Sequence, residues 1–350
     1  MRKVLRMLGI AILIPVVLVL LVLAASAVIS PPAGGKKIAR EIEIPYRALV
    51  AHRGASFIAP EATEPAYLMA REMGADYLEA DLQRTADGVI VVFHDDTLER
   101  TTNVATVFPE RKNDLLETFT YEELLELDTG SWFNETFPEL ARNTYVNLNI
   151  ITLEELLDIA ESGSNNPGLY LETKSADRQA GYEEQIVEIL RKRGWLDGTA
   201  AIANPNDALN KAVGAPTVNT ASGPARVIFQ SFYPGSIARL KQLAPDVPRV
   251  LLISQETESE QGWSNLLEQA AADAQGIGPV GYLGWPWKVG PAHRAGLIVH
   301  PYTINAAWQM KLLTFFGADG FFSDQTAIAL EALGKGKIVD VEAIFNRIGY

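Results

Sequence analysis

The sequence predicts an α/β fold with a parallel barrel, on three observations. Short apolar runs recur at Leu49, Tyr77, Leu169–Leu171, Val227–Phe229, Val250–Ile253, Leu297–Val299 and Gly320–Phe322, with a weaker eighth at Gly276–Val280. Helical patterns separate most of them, and strands that alternate with helices build parallel sheets, because each parallel connection needs a crossover. The 350 residues leave room for a barrel of roughly 250 residues with additions. Length and composition alone fit two ordinary domains equally well, so the alternation carries the reading.

Composition narrows the chemistry. A formal net charge of −13 argues against a nucleic-acid partner, since phosphate backbones select basic surfaces. The absence of cysteine excludes disulfides, thiolate metal sites and a lipidated N-terminal Cys. With only four histidines, a His-rich zinc site is disfavoured, whereas a hard cation held by carboxylates needs none.

Taken in chain order, Leu8–Ile29 is an uninterrupted apolar run long enough to cross a bilayer, preceded by Arg2, Lys3 and Arg6. Positive charge stays inside, so residues 1–30 read as a transmembrane anchor with a cytoplasmic N-terminus and the remainder on the outer side. The small residues Ala24–Ala27 leave a cleaved secretory signal as the alternative, which would release the protein; the run exceeds the usual signal core. Residues 31–41, rich in Pro and Gly, read as a linker, and the soluble barrel as 42–350.

A short apolar segment then leads into His52-Arg53-Gly54, a loop and a helical pattern from Thr63 to Met73. In a parallel α/β protein such strand ends carry the functional groups. Tyr77–Leu82 (YLEADL) alternates, which puts Glu79 and Asp81 on one face. Two carboxylates on an inward face repel, and a bound cation explains them better than a solvated edge. Asp87-Gly88 is a two-residue hairpin signal; such a turn pairs Ala86 with Val89 and, further along, Asp81 with His94. Asp95 and Asp96 follow and either orient His94 or open the next turn.

Residues 104–150 break the alternation and read as an inserted lobe, whose Trp132 and Phe133 either shape the substrate entrance or pack for stability. Ala203–Gly223 reads as a long surface loop. Gly281–Pro291 (GYLGWPWKVGP) has no helical spacing and reads as packing at the barrel bottom, with an approach to lipid or substrate as the alternative. His293 and His300, without neighbours of the right kind, read as structural.

The motifs HRG, PEAT, GADYLEADLQRTADG and VVFHDDTLERTTN, in this order and spacing, resemble those of the glycerophosphodiester phosphodiesterase family. The similarity continues in SWFNE, TLEELLD, LYLETK, FQSFYP, YTIN and GADGFFSD, nearly to the end of the chain. The resemblance implies a (β/α)8 TIM-type barrel with the active site at its C-terminal mouth and the lobe inserted after the second-strand hairpin. It implies one divalent cation, Ca²⁺ or Mg²⁺, on Glu79, Asp81 and Glu172. His52 and His94 become the acid/base pair, with Arg53 and Lys174 on the phosphate. Where the family usually has Trp-Thr-Val-Asn the chain has Tyr302-Thr303-Ile304-Asn305, so Tyr302 supplies the aromatic wall against substrate.

The expected reaction is metal-dependent hydrolysis of a glycerophosphodiester to glycerol 3-phosphate and an alcohol. The partners expected are this small molecule and a membrane, and no nucleic acid. The rivals are phospholipase D- or C-like cleavage of membrane (lyso)phospholipids on the same barrel and, against the retention of every ionisable group of the motif, an inactive membrane-tethered binding protein.

Overall fold

The computed structural model describes residues 32–163, 165–196, 223–336 and 340–350. Nine strands run in chain order: β1 (Ala48–Ala51), β2 (Tyr77–Arg84), β3 (Ile90–Val92), β4 (Gly168–Thr173), β5 (Val227–Ser231), β6 (Arg249–Ile253), β7 (Gly276–Pro279), β8 (Ile298–Val299) and β9 (Gly320–Ser323). Eight of them pair in parallel in the order β8-β7-β6-β5-β4-β2-β1-β9, and β3 lies antiparallel on β2 as a hairpin arm. At the seam, Asp319 N donates to Val299 O (2.9 Å) and Phe322 N to Pro301 O (3.0 Å), which brings β9 back to β8 and closes the ring. The weak eighth strand is β7.

Each barrel strand is followed by a helix that covers its outer face. After β1 comes Glu64–Met73, with Pro65 near its start and Gly74 in the left-handed conformation at its end. After the hairpin comes Leu153–Glu161, where Thr152 and Glu155 form a reciprocal capping box. The other six are Tyr182–Lys192, Pro234–Leu243, Trp263–Asp273, Pro286–Arg294, Ala307–Phe315 and Thr326–Ala332. Because both faces of every strand are covered, the strands read as apolar runs with little alternation. One set of side chains, Ala48, Val50, Tyr77, Tyr170, Ile228, Val250, Ile298 and Phe322, fills the interior.

The floor of the barrel departs from expectation. The expected linker 31–41 holds a helix, Pro32–Glu41, whose Ile38 and Ala39, with Ile44, join the interior cluster. The Gly pair serves close packing here: a Cβ on Gly35 would lie 1.6 Å from Asp319 Oδ1. Burying Ile38 and Ile44 stabilises this plug by about 1.5–3 kcal/mol each. Pro32–Glu41 therefore packs as part of the barrel, ahead of the expected boundary at 42.

The expected membrane anchor, Leu8–Ile29, lies outside the described residues, and so does the loop expected at Ala203–Gly223, all but its last residue. Among the described residues no helix is long and apolar enough to cross a membrane.

The hairpin register also differs from expectation. Arg84 pairs with Ile90, Gln83 with Val91 and Leu82 with Val92, so Asp81 faces Phe93, not His94. The loop has three residues, since Thr85 N donates to Val89 O (2.9 Å) and Gly88 N to Thr85 O (3.0 Å), with Gly88 at φ 88°. A type I turn closed by a left-handed glycine uses the same Asp-Gly pair as the two-residue turn and shifts every partner by one.

Beyond the hairpin, short helical turns between Val104 and Tyr145 build the inserted lobe. Leu98, Val104, Leu116, Phe119, Leu124 and Leu127 form its own apolar cluster against Val91 and Phe93. Trp132 and Phe133 take the packing role: Phe133 is fully buried against Phe137 and Tyr145, and Trp132 Nε1 donates to Thr129 O.

The segment Gly281–Pro291 is the third correction. From Pro286 it belongs to the helix Pro286–Arg294, despite its lack of helical spacing, but it starts from the C-terminal end of β7, at the mouth of the barrel and not at its bottom. Trp285 and Trp287 stack there, 5.1 Å apart, and both are exposed.

Candidate active site

The centre of the site is built by β2 and β4. Alternation along β2 turns Glu79 and Asp81 inward, and the parallel register sets Glu172 of β4 directly beside Asp81. All three carboxylates are buried, and one oxygen from each lies within 4.8 Å of the others. Burial, then the neighbouring Asp81, pushes Glu79 well above the usual carboxylate range. Burial likewise raises Glu172 to about 7, against the pull of Lys174. Asp81 is also penalised by burial, but Lys174 and Arg53 more than compensate and bring it down to about 2.

These groups fit a hard cation. Oxygen ligands at ~2.3–2.6 Å from a central ion lie up to about 5 Å apart, in keeping with the spacing here. Asp81 Oδ2 is buried and accepts no hydrogen bond, with Arg53 Nε 3.3 Å away. Three carboxylates face only Arg53 and Lys174 as compensating charge, so one positive ion would relieve the repulsion. The donor set, oxygen alone, suits Ca²⁺ or Mg²⁺.

His52 is the first residue beyond β1. Its Nδ1 donates to Asp324 Oδ1 (2.7 Å), just beyond the end of β9, the neighbouring strand. Asp324 is held in turn by Asn305 Nδ2 (2.6 Å) and Ser56 Oγ (3.1 Å). Burial works against its charge, but the His52 bond and these partners keep it below the ordinary range. His94 is built the same way, with Nδ1 2.5 Å from Asp95 Oδ1. A carboxylate on Nδ1 fixes the tautomer and leaves Nε2 of each ring to the cavity, ready to accept or donate a proton. Despite the changed register His94 reaches the cavity, because the last ladder bond is Phe93 N to Asp81 O (2.9 Å) and pleat alternation no longer governs the chain beyond it.

Arg53 sits in the left-handed conformation at φ 54°. Its backbone N donates to Glu79 Oε2 (2.8 Å) and its guanidinium to Glu61 Oε1 (2.8 Å). Glu61 also takes two bonds from Arg100, which pairs with Asp95. One chain of charge-assisted bonds thus runs from His94 through Asp95, Arg100 and Glu61 to Arg53, whose Nε stands at ion-pair distance from Asp81 (3.3 Å). Such a chain fixes side chains that otherwise have many rotamers.

The cavity, about 200 Å³, is walled by His52, Arg53, Glu79, Asp81, His94 and Glu172, by Gln230, which donates to Glu79 Oε1 (3.2 Å), and by Phe232, Leu252 and Tyr302. Seven of the eight expected residues therefore meet at one cavity. The eighth, Lys174, lies against the carboxylates, 3.1 Å from Glu172 and 3.8 Å from Asp81. Asp324, Glu61, Arg100 and Gln230 were not singled out from sequence. Asp324 and Glu61 stand inside quoted motifs, GADGFFSD and PEAT, but nothing local says what they touch. Of the two acids after His94, Asp95 orients it, while Asp96 turns away to Ser175 and Arg178.

His293 and His300 are structural. His293 Nε2 bonds Asp319 Oδ2 (2.9 Å) at the floor. His300 is enclosed in the barrel with Tyr170 OH 3.4 Å from Nδ1, and burial pushes it down to about 3, so it is neutral.

Residues 52–328 match the glycerophosphoryl diester phosphodiesterase family, from His52 to the helix after β9. The chain belongs to this family. It is 35% identical over 275 residues to a glycerophosphodiester phosphodiesterase of Bacillus subtilis (strain 168), covering 79% of this chain and 82% of that one. An Oleispira antarctica phosphodiesterase, solved in complex with the product sn-glycerol-3-phosphate, is 26% identical, with a TM-score of 0.60 over 83% of this chain and 97% of that one. The fold is also that of a glycerophosphodiester phosphodiesterase from Agrobacterium tumefaciens, with a TM-score of 0.57 and 22% identity over 81% of this chain and 99% of that one. Membership makes the protein a phosphoric diester hydrolase. The family match spans the inserted lobe as well as the barrel, and it includes both members of the His52–Asp324 pair.

Proposed function

We propose that the protein hydrolyses glycerophosphodiesters to glycerol 3-phosphate and an alcohol, with His52 and His94 as acid and base and a divalent cation on Glu79, Asp81 and Glu172. The observation that carries this reading is one cavity that joins three buried carboxylates to two histidines, each oriented by its own carboxylate. When bound, the cation would supply electrostatic stabilisation of the phosphoryl oxygens.

The chain's own residues do the rest. Arg53, held by Glu61 and Asp81, faces the phosphate with a fixed guanidinium, and Lys174 keeps Asp81 ionised and opposes the effect of burial on Glu172. One histidine takes the proton from the attacking oxygen as its bond to phosphorus forms. The other gives a proton to the departing alcohol oxygen as that bond to phosphorus breaks. Hydrogen bonds from Nδ1 to Asp324 and Asp95 stabilise the imidazolium form of each ring in its turn. Phe232, Leu252 and Tyr302 line the cavity as well and keep water from the uncommitted face. The attacking oxygen belongs to water or to the substrate's own glycerol, the latter through a cyclic phosphate.

The test is glycerol 3-phosphate release from glycerophosphocholine by the purified full chain. EDTA abolishes it and Ca²⁺ or Mg²⁺, added back separately, restores it; full activity in chelator would sink the metal role. His52→Ala and His94→Ala each lose on the order of 10²–10⁴-fold in kcat.

The same reading places the enzyme on the outer side of a membrane, held by Leu8–Ile29 with Arg2, Lys3 and Arg6 inside. Release from the membrane fraction by alkaline carbonate would overturn the anchor.

A further inference from the structure

A second cleft, about 370 Å³, opens beside the catalytic cavity and shares Tyr302 and Thr303 with it. Tyr282, Trp285, Ile304, Trp308 and Leu312 are among the residues of its wall. None of the twelve lining residues carries a carboxylate, ammonium or guanidinium. Trp308 is 66% exposed and Tyr282 48%, and Trp287, stacked on Trp285, extends the surface. Aromatic side chains left in water around a concave surface mark a binding site, because their burial contributes more per residue than any other apolar contact.

From this geometry, and resting on the activity proposed above, we infer that the cleft receives an aliphatic chain carried by the alcohol half of the diester. Three observations choose this occupant. The wall shared through Tyr302 and Thr303 sets the cleft directly beside the place where the phosphate is cleaved, within reach of a chain attached to the phosphate. The glycerol half is short, polar and common to all substrates of this activity, which leaves the alcohol as the half that varies. A bilayer surface fits less well: interfacial sites pair aromatics with Lys or Arg for anionic headgroups, and none lines this cleft. The floor helix Pro32–Glu41 also sits at the opposite end of the barrel from it.

The experiment measures kcat/KM of the full chain with its cation on glycerophosphoethanol, glycerophosphobutanol and glycerophospho-octanol. The wild type gains roughly tenfold or more from the ethyl to the octyl ester, as a few buried methylenes require. Trp308→Gln and Trp285→Gln remove most of that gain and leave the rate on glycerophosphoethanol unchanged, which also shows that the variants are folded. Three outcomes overturn the inference. They are a flat wild-type series, a gain that persists in both variants, and a gain that needs vesicles of neutral phospholipid in the assay. A preference for the chain on the glycerol, tested with a 1-alkylglycerophosphoethanol, overturns it as well. Absence of hydrolysis with every diester is a different result: it removes the proposed activity and this inference with it.

Discussion

At the scale of single residues, the two histidines are alike in construction and unlike in how far the sequence reveals it. His94 carries its orienting carboxylate next door as Asp95, so the pair is legible in HDD. His52 takes its partner from Asp324, 272 positions away, and only the pairing of Ala51 with Ser323 brings them together. An arginine and a lysine in motifs can be read as charges for a phosphate, and three acids as ligands for a cation. That Glu61 clamps Arg53 and Arg100, or that Lys174 leans on the carboxylates, depends on rotamers that spacing does not specify. The prediction at this scale concerns Asp324→Asn. The amide keeps size and exposure but can present its NH₂ to Nδ1, which favours the wrong tautomer and no longer stabilises imidazolium. We expect kcat to fall by about 10²-fold or more with KM nearly unchanged. A parallel loss in thermal stability without these kinetic changes would assign Asp324 to structure alone.

At the scale of elements, strands were legible because a barrel strand is covered on both faces and so appears as an apolar run. Turns and boundaries were less so, for a specific reason: Gly and Asp-Gly each serve more than one geometry. Gly34-Gly35 looked like flexibility and instead allows helix Pro32–Glu41 to touch Asp319. Asp87-Gly88 looked like a two-residue turn. The longer loop wins because Thr85 Oγ1 accepts from Val89 N (2.9 Å) and contacts Asp87 Oδ1 (2.6 Å), while Asp87 also caps Tyr121 N (3.0 Å). Those bonds tie the hairpin tip to the inserted lobe. The prediction follows from Gly88, whose φ of 88° has open space where a Cβ would go. Gly88→Ala then costs backbone strain alone, about 1–2 kcal/mol, read as a lower urea midpoint at unchanged m. Activity on glycerophosphocholine stays at the wild-type level, since His94 is placed by Asp95 and not by the turn. A drop in kcat would show that the turn does set His94.

At the scale of the whole molecule, the site divides the barrel in two. The arc β9–β1–β2–β4 carries the ionisable chemistry, namely Asp324, His52, Glu79, Asp81 and Glu172. The arc β5–β8 carries Gln230, Phe232, Leu252 and Tyr302, a wall that is mostly apolar and leads into the aromatic cleft. The carboxylates need only the β2–β4 pairing, whereas the His52–Asp324 pair needs β1 joined to β9, the last strand made. Cation binding and acid/base assembly therefore depend on different parts of the closure. This sharing of one ion between two strands decides the last prediction. An ion that binds the folded barrel and not the unfolded chain stabilises it by about 2.7 kcal/mol at a hundred times its Kd, which for a domain of this size is a rise of several degrees in Tm. Ca²⁺ or Mg²⁺ added to chelator-treated protein should give that rise in the wild type and equally in His52→Ala, which keeps every carboxylate. Asp81→Asn should abolish it, because it removes the ligand that stands between the two strands and beside Glu172. If the rise survived in Asp81→Asn, the ion would sit elsewhere in the molecule, and the three buried carboxylates would have to be held together by Arg53 and Lys174 alone.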